Sequence, residues 1–181
     1  DQGGPFSYPG DYFSAEAPEK YKIKGSFGHP VPVVDGKTQS SGAKASAIVL
    51  KKEFTDVKDL LCIDYTSAYS TPSLDKLVRT FVYDRQGKGS FTVGDEFTAN
   101  APIRFETAIT TQANWKIIDD THLLLTTGTE QMTVTIEASG KVAFTSETIE
   151  VNSPAYTRIG ISLKEQSKDG YIRLTMRTKQ L

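Results

Sequence analysis

His29 is the residue of this chain best placed to do chemistry. It lies in Ser26-Phe27-Gly28-His29-Pro30-Val31-Pro32-Val33-Val34-Asp35-Gly36-Lys37-Thr38-Gln39 and is one of only 2 histidines among 181 residues. An imidazole is the side chain suited to exchanging protons near neutral pH. The neighbouring backbone is suited to aiming a ring. Gly28 permits close approach, and Pro30 and Pro32 hold their neighbours extended. Asp35-Gly36 is a tight-turn pair. The competing reading of the stretch is an edge strand with an incidental histidine.

Other residues offer less. His122 opens the apolar run His122-Leu123-Leu124-Leu125 behind Asp119-Asp120-Thr121. That position suits a strand-end structural histidine better than a ligand. Asp119-Asp120 can bind a hard cation, or can form a solvated turn. Trp115, Tyr65, Tyr69, Tyr83, Tyr156 and Tyr171 can stack on sugar rings if they line a groove, although aromatics at strand spacing usually pack a core. Tyr69 is the open case, where a strand runs into a Ser/Thr/Pro loop. The chain has no Gly-x-Ser-x-Gly, no His-Glu-x-x-His and no phosphate-binding glycine loop.

Composition narrows the classes further. A net charge of −1 and the absence of a Lys/Arg run give no electrostatic case for nucleic acid. No apolar run approaches the roughly 20 residues that cross a bilayer. Cys62 is the single cysteine, so no disulfide framework exists, and Leu60, Leu61 and Ile63 around it suggest a buried thiol.

The elements that must hold these residues are strands. Alternation of period two marks Arg79–Arg85, Ser90–Phe97, Met132–Glu137, Ile159–Leu163 and Ile172–Met176. Gln86-Gly87-Lys88-Gly89 reads as a hairpin connection, and Lys168-Asp169-Gly170 as a turn between the last two runs. Gly42–Lys52 reads as a strand from its Ile48-Val49-Leu50 centre. Many short strands at intervals of roughly 8–12 residues predict an all-β fold, an antiparallel two-sheet β-sandwich over residues 21–181. Residues 1–20, rich in Gly, Pro and aromatics, read as an irregular segment laid on the sandwich or as a linker from a preceding domain.

Several pieces in order resemble the C-terminal β-sandwich domain of heparinase II/III-like polysaccharide lyases. They are Gly28–Gln39, Asp64-Tyr65-Thr66-Ser67-Ala68-Tyr69, Arg79-Thr80-Phe81-Val82-Tyr83, Asp95-Glu96-Phe97, Pro102-Ile103-Arg104-Phe105-Glu106-Thr107 and Arg158-Ile159-Gly160-Ile161. The resemblance implies an upstream (α/α)-toroid and cleavage of uronate-containing glycans by β-elimination between the two domains. It implies that the toroid brings a Tyr and an Asn or His, while the sandwich brings a histidine, matched here by His29 as the catalytic candidate. Whether that ring neutralises the carboxylate or takes the proton stays open. Tyr69 is the substrate-binding candidate. Zinc-bearing relatives carry a second histidine two residues later, where this chain has Val31, so neither metal nor other cofactor is expected. The resemblance further implies a bacterial, periplasmic or extracellular protein, inactive without its toroid. The alternative is a non-catalytic carbohydrate-binding or structural module.

Overall fold

Period-two alternation places one set of side chains from each strand on a common inner face. The structure, a computed structural model, describes residues 9–149 and 155–179. Residues 1–8 of the N-terminal segment lie outside that range. Two antiparallel sheets form, of 8 and 4 strands. The large sheet runs β2 (Ile48–Phe54), β3 (Lys58–Asp64), β4 (Leu74–Asp84), β5 (Ser90–Ile103), β12 (Ser167–Lys179), β9 (Glu130–Ala138), β8 (His122–Thr127) and β7 (Asn114–Asp119). The small sheet runs β1 (Val33–Val34), β6 (Phe105–Thr111), β11 (Tyr156–Leu163) and β10 (Val142–Ile149). This is the sandwich that the alternation predicts.

Register lines up the core. Leu77 faces Phe97, Leu174 faces both Val93 and Ile136, and Val134 faces Leu123. Phe97 of the large sheet stacks on Phe105 of the small one, with ring centroids 4.6 Å apart. Both rings are buried, and each such side chain contributes roughly 1.5–3 kcal/mol. The chain changes sheet at Arg104, between β5 and β6. Asp35 ties that corner to the β1 turn: its carboxylate accepts from the Arg104 N–H at 2.8 Å, and its own N–H donates to the Arg104 carbonyl at 2.9 Å. Asp35 and Gly36 both have positive φ, 50° and 73°, the geometry of a tight hairpin turn.

Three details depart from the expectations. Lys168-Asp169-Gly170 is no turn but part of β12. Gly170 sits there for space, because a Cβ would lie 2.7 Å from Ser139 Oγ and 3.0 Å from the Phe97 ring. The strand expected over Gly42–Lys52 starts only at Ile48, and it is an edge strand exposed along its whole length. Cys62 points to the outer face and is only half-buried, where it accepts a weak hydrogen bond from Thr80 Oγ1 at 3.6 Å.

The segment before β1 covers the small sheet. Tyr12, Tyr21 and Phe27 pack with Ile23 on Ile149 and Tyr156, a cluster separate from the main core. Phe27 also lies over the buried Arg158 guanidinium, 4.4 Å from ring centroid to carbon, while Arg158 Nη1 donates to Glu106 at 2.6 Å.

Candidate functional site

Ser26–Gly28 forms a single 3₁₀ turn, and His29 leaves it in extended conformation, φ −112° and ψ 160°. The turn presses onto the preceding chain. Gly28 N–H donates to the Lys22 carbonyl at 3.0 Å, and a Cβ on Gly28 would sit 2.3 Å from that oxygen. Only glycine allows this approach. The half-buried His29 ring then reaches back, with Nε2 3.0 Å from the Ile23 carbonyl oxygen.

Buried side chains hold the carbonyls on either side of His29. The Tyr156 hydroxyl donates to Gly28 O, Arg79 Nη1 to Pro30 O, and the Tyr69 hydroxyl to Pro32 O, each at 2.8 Å. Neither Pro30 nor Pro32 has an N–H to donate, so these two residues are fixed by polar contact through their carbonyls alone, while the Val31 N–H donates to the His29 carbonyl at 2.8 Å.

Arg79 is itself anchored. Its Nε and Nη2 close on the two oxygens of Asp95 at 2.7 and 2.8 Å, a bidentate pair. Asp95 also accepts from the Tyr65 hydroxyl at 2.7 Å and from Thr107 Oγ1 at 2.7 Å. The cluster therefore joins β4 and β5 to β6 of the facing sheet. Burial disfavours the charged guanidinium, but Asp95 outweighs it and holds the Arg79 pKa further up. Burial first, then the Asp95 charge, pushes the Tyr65 hydroxyl well above the usual phenol range. Burial does the same to Tyr69.

Tyr69 is therefore placed differently from a sugar-stacking residue. It is 6% exposed, edge-on to Tyr65, and its polar end is spent on Pro32. Its role in this fold is to support the His29 stretch. By contrast, Tyr83 and Tyr171 lie at the surface, not in the core.

A recess of about 250 Å³ opens between the sheets beside this stretch, lined by Pro30, Arg79, Phe81, Phe91, Ile109 and Met176. Phe81 and Phe91 stack, and Phe91 is 38% exposed. The recess thus reaches the chain at Pro30, next to His29 in sequence.

His122 lies elsewhere. Asp119 caps its own turn, accepting from the Thr121 hydroxyl and N–H and from His122 Nδ1, at 2.8, 2.8 and 3.0 Å. The Thr121 hydroxyl, then the Thr121 N–H, then His122, draw the Asp119 carboxyl down to about 2. Among the described residues no group of three or more His, Cys, Asp or Glu side chains is placed to hold a metal ion. Arg79 and Asp95 enter the sequence analysis only within strand runs and pieces of the resemblance and not as site residues, although the pattern carries a signal. Arg79 is in phase with Leu77 and Phe81, and Asp95 with Val93 and Phe97, so opposite charges occupied core positions of paired strands.

No protein-family model matches the chain, and no curated protein matches it. Solved structures do. The heparan sulfate lyase HepC from Pedobacter heparinus matches with a TM-score of 0.74 and 14% identity, over 99% of this chain and 28% of that one. One heparinase III structure matches at 0.68 and 14% identity, over 96% and 28%. Another matches at 0.63 and 16% identity, over 82% and 23%. This chain has the fold of one part of those enzymes. It spans about 28% of the length of the first two, as a single domain would. No helix among the described residues is long and apolar enough to cross a membrane.

Proposed function

We propose that this chain is the sandwich domain of a polysaccharide lyase that cleaves uronate-containing glycans by β-elimination. His29 stands in the cleft, and the sandwich supplies one wall. The carrying observation is the His29 backbone, fixed on either side by buried donors, with its neighbour Pro30 lining the apolar recess. Phe81 and Phe91 at the recess, with the exposed Tyr83 paired to Phe91, offer a surface on which an upstream (α/α)-toroid can seat. The solved relatives fit this division, since the chain covers only a fraction of each.

In the reaction, the C5 proton of the uronate leaves to a base and the C5–H electron pair becomes the C4=C5 double bond. The C4–O4 bond breaks with its pair on O4, which takes a proton from an acid. The uronate carboxylate must be neutralised for C5–H to be acidic, and His29 serves that need or the proton transfer itself. The toroid brings the remaining groups, so the sandwich alone is inactive. Heparan sulfate is the first substrate to test, being named for a solved relative. Action on such glycans goes with a periplasmic or extracellular bacterial protein.

The experiment is to join this chain to the upstream region of its reading frame and follow the ultraviolet absorbance of the unsaturated uronate. Turnover of heparan sulfate, chondroitin or alginate that disappears with His29→Ala supports the reading. Full activity in that variant, or none from the joined protein, rejects it. A second reading, a glycan-binding module without chemistry, is favoured by one feature. Tyr171, 39% exposed, lies beside Arg173 over the Gly94 floor of an outer-face groove of about 270 Å³. Glycan binding abolished by Tyr171→Ala but indifferent to His29→Ala would select it.

A further inference from the structure

We infer that His29 works through Nδ1, with Nε2–H permanently engaged as the anchor of the ring. This rests on the reading of His29 as a cleft residue and adds which atom faces the glycan.

A backbone carbonyl can only accept. The 3.0 Å contact between Nε2 and the Ile23 oxygen therefore requires a proton on Nε2. In the neutral ring the lone pair then belongs to Nδ1, and no partner among the described residues takes it. In the charged ring the second N–H is also on Nδ1. Both roles open to His29, taking the C5 proton or donating to the uronate carboxylate, thus run through the same atom.

The anchor is built rather than incidental. Ile23 is 8% exposed, inside the cluster that packs the N-terminal segment on the small sheet. Gly28 brings the turn against residues 22 and 23, where a Cβ would meet Lys22 O at 2.3 Å and Ile23 Cα at 2.9 Å. Gly28 O and Pro30 O are held by Tyr156, of the same cluster as Ile23, and by Arg79 of the main core. The Ile23 carbonyl and the backbone carrying the ring are both held by buried packing, so the tautomer is set by the scaffold. Gly28 is a positioning residue in this scheme.

His122 supplies an internal control. Its Nδ1 lies 3.0 Å from an Asp119 carboxylate oxygen, which only accepts, and 2.9 Å from Thr121 Oγ1, whose one hydrogen goes to Asp119, so the neutral His122 ring carries its proton on Nδ1. The two histidines should be opposite tautomers in one protein.

The test is a two-bond ¹H–¹⁵N correlation spectrum of the ¹⁵N-labelled chain on the alkaline side of the imidazole titration. Expected are two ring patterns: protonated Nε2 with bare Nδ1 for His29, and the reverse for His122. His29→Gln assigns them by removing one set. A His29 ring with protonated Nδ1, or a fast mixture of tautomers, overturns the proposal. Gly28→Ala, with the His122 pattern reporting that it is folded, should convert His29 alone to a mixture. Retention of the single tautomer there overturns the anchoring. The lyase reading fails on a different measurement, the uronate absorbance of the joined protein, which does not depend on the tautomer.

Discussion

Arg79 donates to the carbonyl of Pro30 at 2.8 Å from a position inside the sandwich, 49 residues away in sequence. Its other contacts close on Asp95, so a buried ion pair of the core reaches directly to the backbone beside His29. The charged pair is costly to bury, yet once it is buried each partner depends on the other.

Asp95→Ala should therefore be severe. It leaves the Arg79 guanidinium buried without its counter-charge, a loss of about 3–5 kcal/mol when a buried pair is broken from one side. Tyr65 and Thr107 lose their acceptor as well. Urea unfolding measures the loss. Replacing both partners with apolar residues should cost less than Asp95→Ala alone, and a double variant as unstable as the sum of the two singles would count against the pair.

Gly28→Ala should cost roughly 1–3 kcal/mol, the range for forcing a methyl into filled space. Gly10→Ala and Gly140→Ala, where an added Cβ meets nothing within 4 Å, are the matched controls. Thermal unfolding of the three variants side by side gives the comparison.

Tyr69→Phe separates support from substrate stacking. Removing the hydroxyl leaves the buried Pro32 carbonyl without its donor, about 1–3 kcal/mol for an unsatisfied polar group. Stability should fall while the ring itself stays. A variant as stable as the parent but weaker in glycan binding would put Tyr69 back at the surface.

His29→Ala should lower the stability of this chain by about 0.5–1.5 kcal/mol, the net worth of the hydrogen bond from Nε2 to the Ile23 carbonyl. In the joined protein it should slow turnover by about 10²-fold or more, the scale of a positioned proton-transfer group. Denaturant melts and initial rates measure the two effects independently.

Asp119 gives a pH prediction of definite sign. Its folded value of about 2 lies below the ordinary 3.8, so its stabilisation is whole above 3.8 and disappears as pH falls through about 2. An NMR titration of the carboxyl carbon should find that midpoint. Thr121→Val removes the largest cause and should move the midpoint up toward 3.8. An unmoved midpoint would assign the shift to another group.

The strands were legible because alternation is a local property. Ile159 and Ile161, or Val134 and Ile136, announce their face within a few residues. Gly170 misled for the opposite reason: turn residues and packing gaps use the same amino acid, and only the crowding by Ser139 and Phe97 tells them apart. The resemblance pointed to His29, and the spacing Gly28-His29-Pro30 hinted at its rigidity. Its supports were not legible, because Tyr156, Arg79 and Tyr69 meet that stretch only through tertiary contacts. Tyr69 could not be resolved between platform and pillar without knowing which way its strand exit turns.

The distances along the chain between those supports and their carbonyls have a consequence for biogenesis. Tyr69, Arg79 and Tyr156 reach back across 37, 49 and 128 residues. During synthesis from the N-terminus, His29 emerges early and waits, unaimed, until the strand bearing Tyr156 has been made and laid beside β6. Closing so long a loop comes late in folding, since its entropy must be overcome before the contact forms. A ribosome-bound or C-terminally clipped chain that lacks β11 would keep the imidazole and lose its orientation. The orientation of the His29 stretch is thus complete only once β11 is in place.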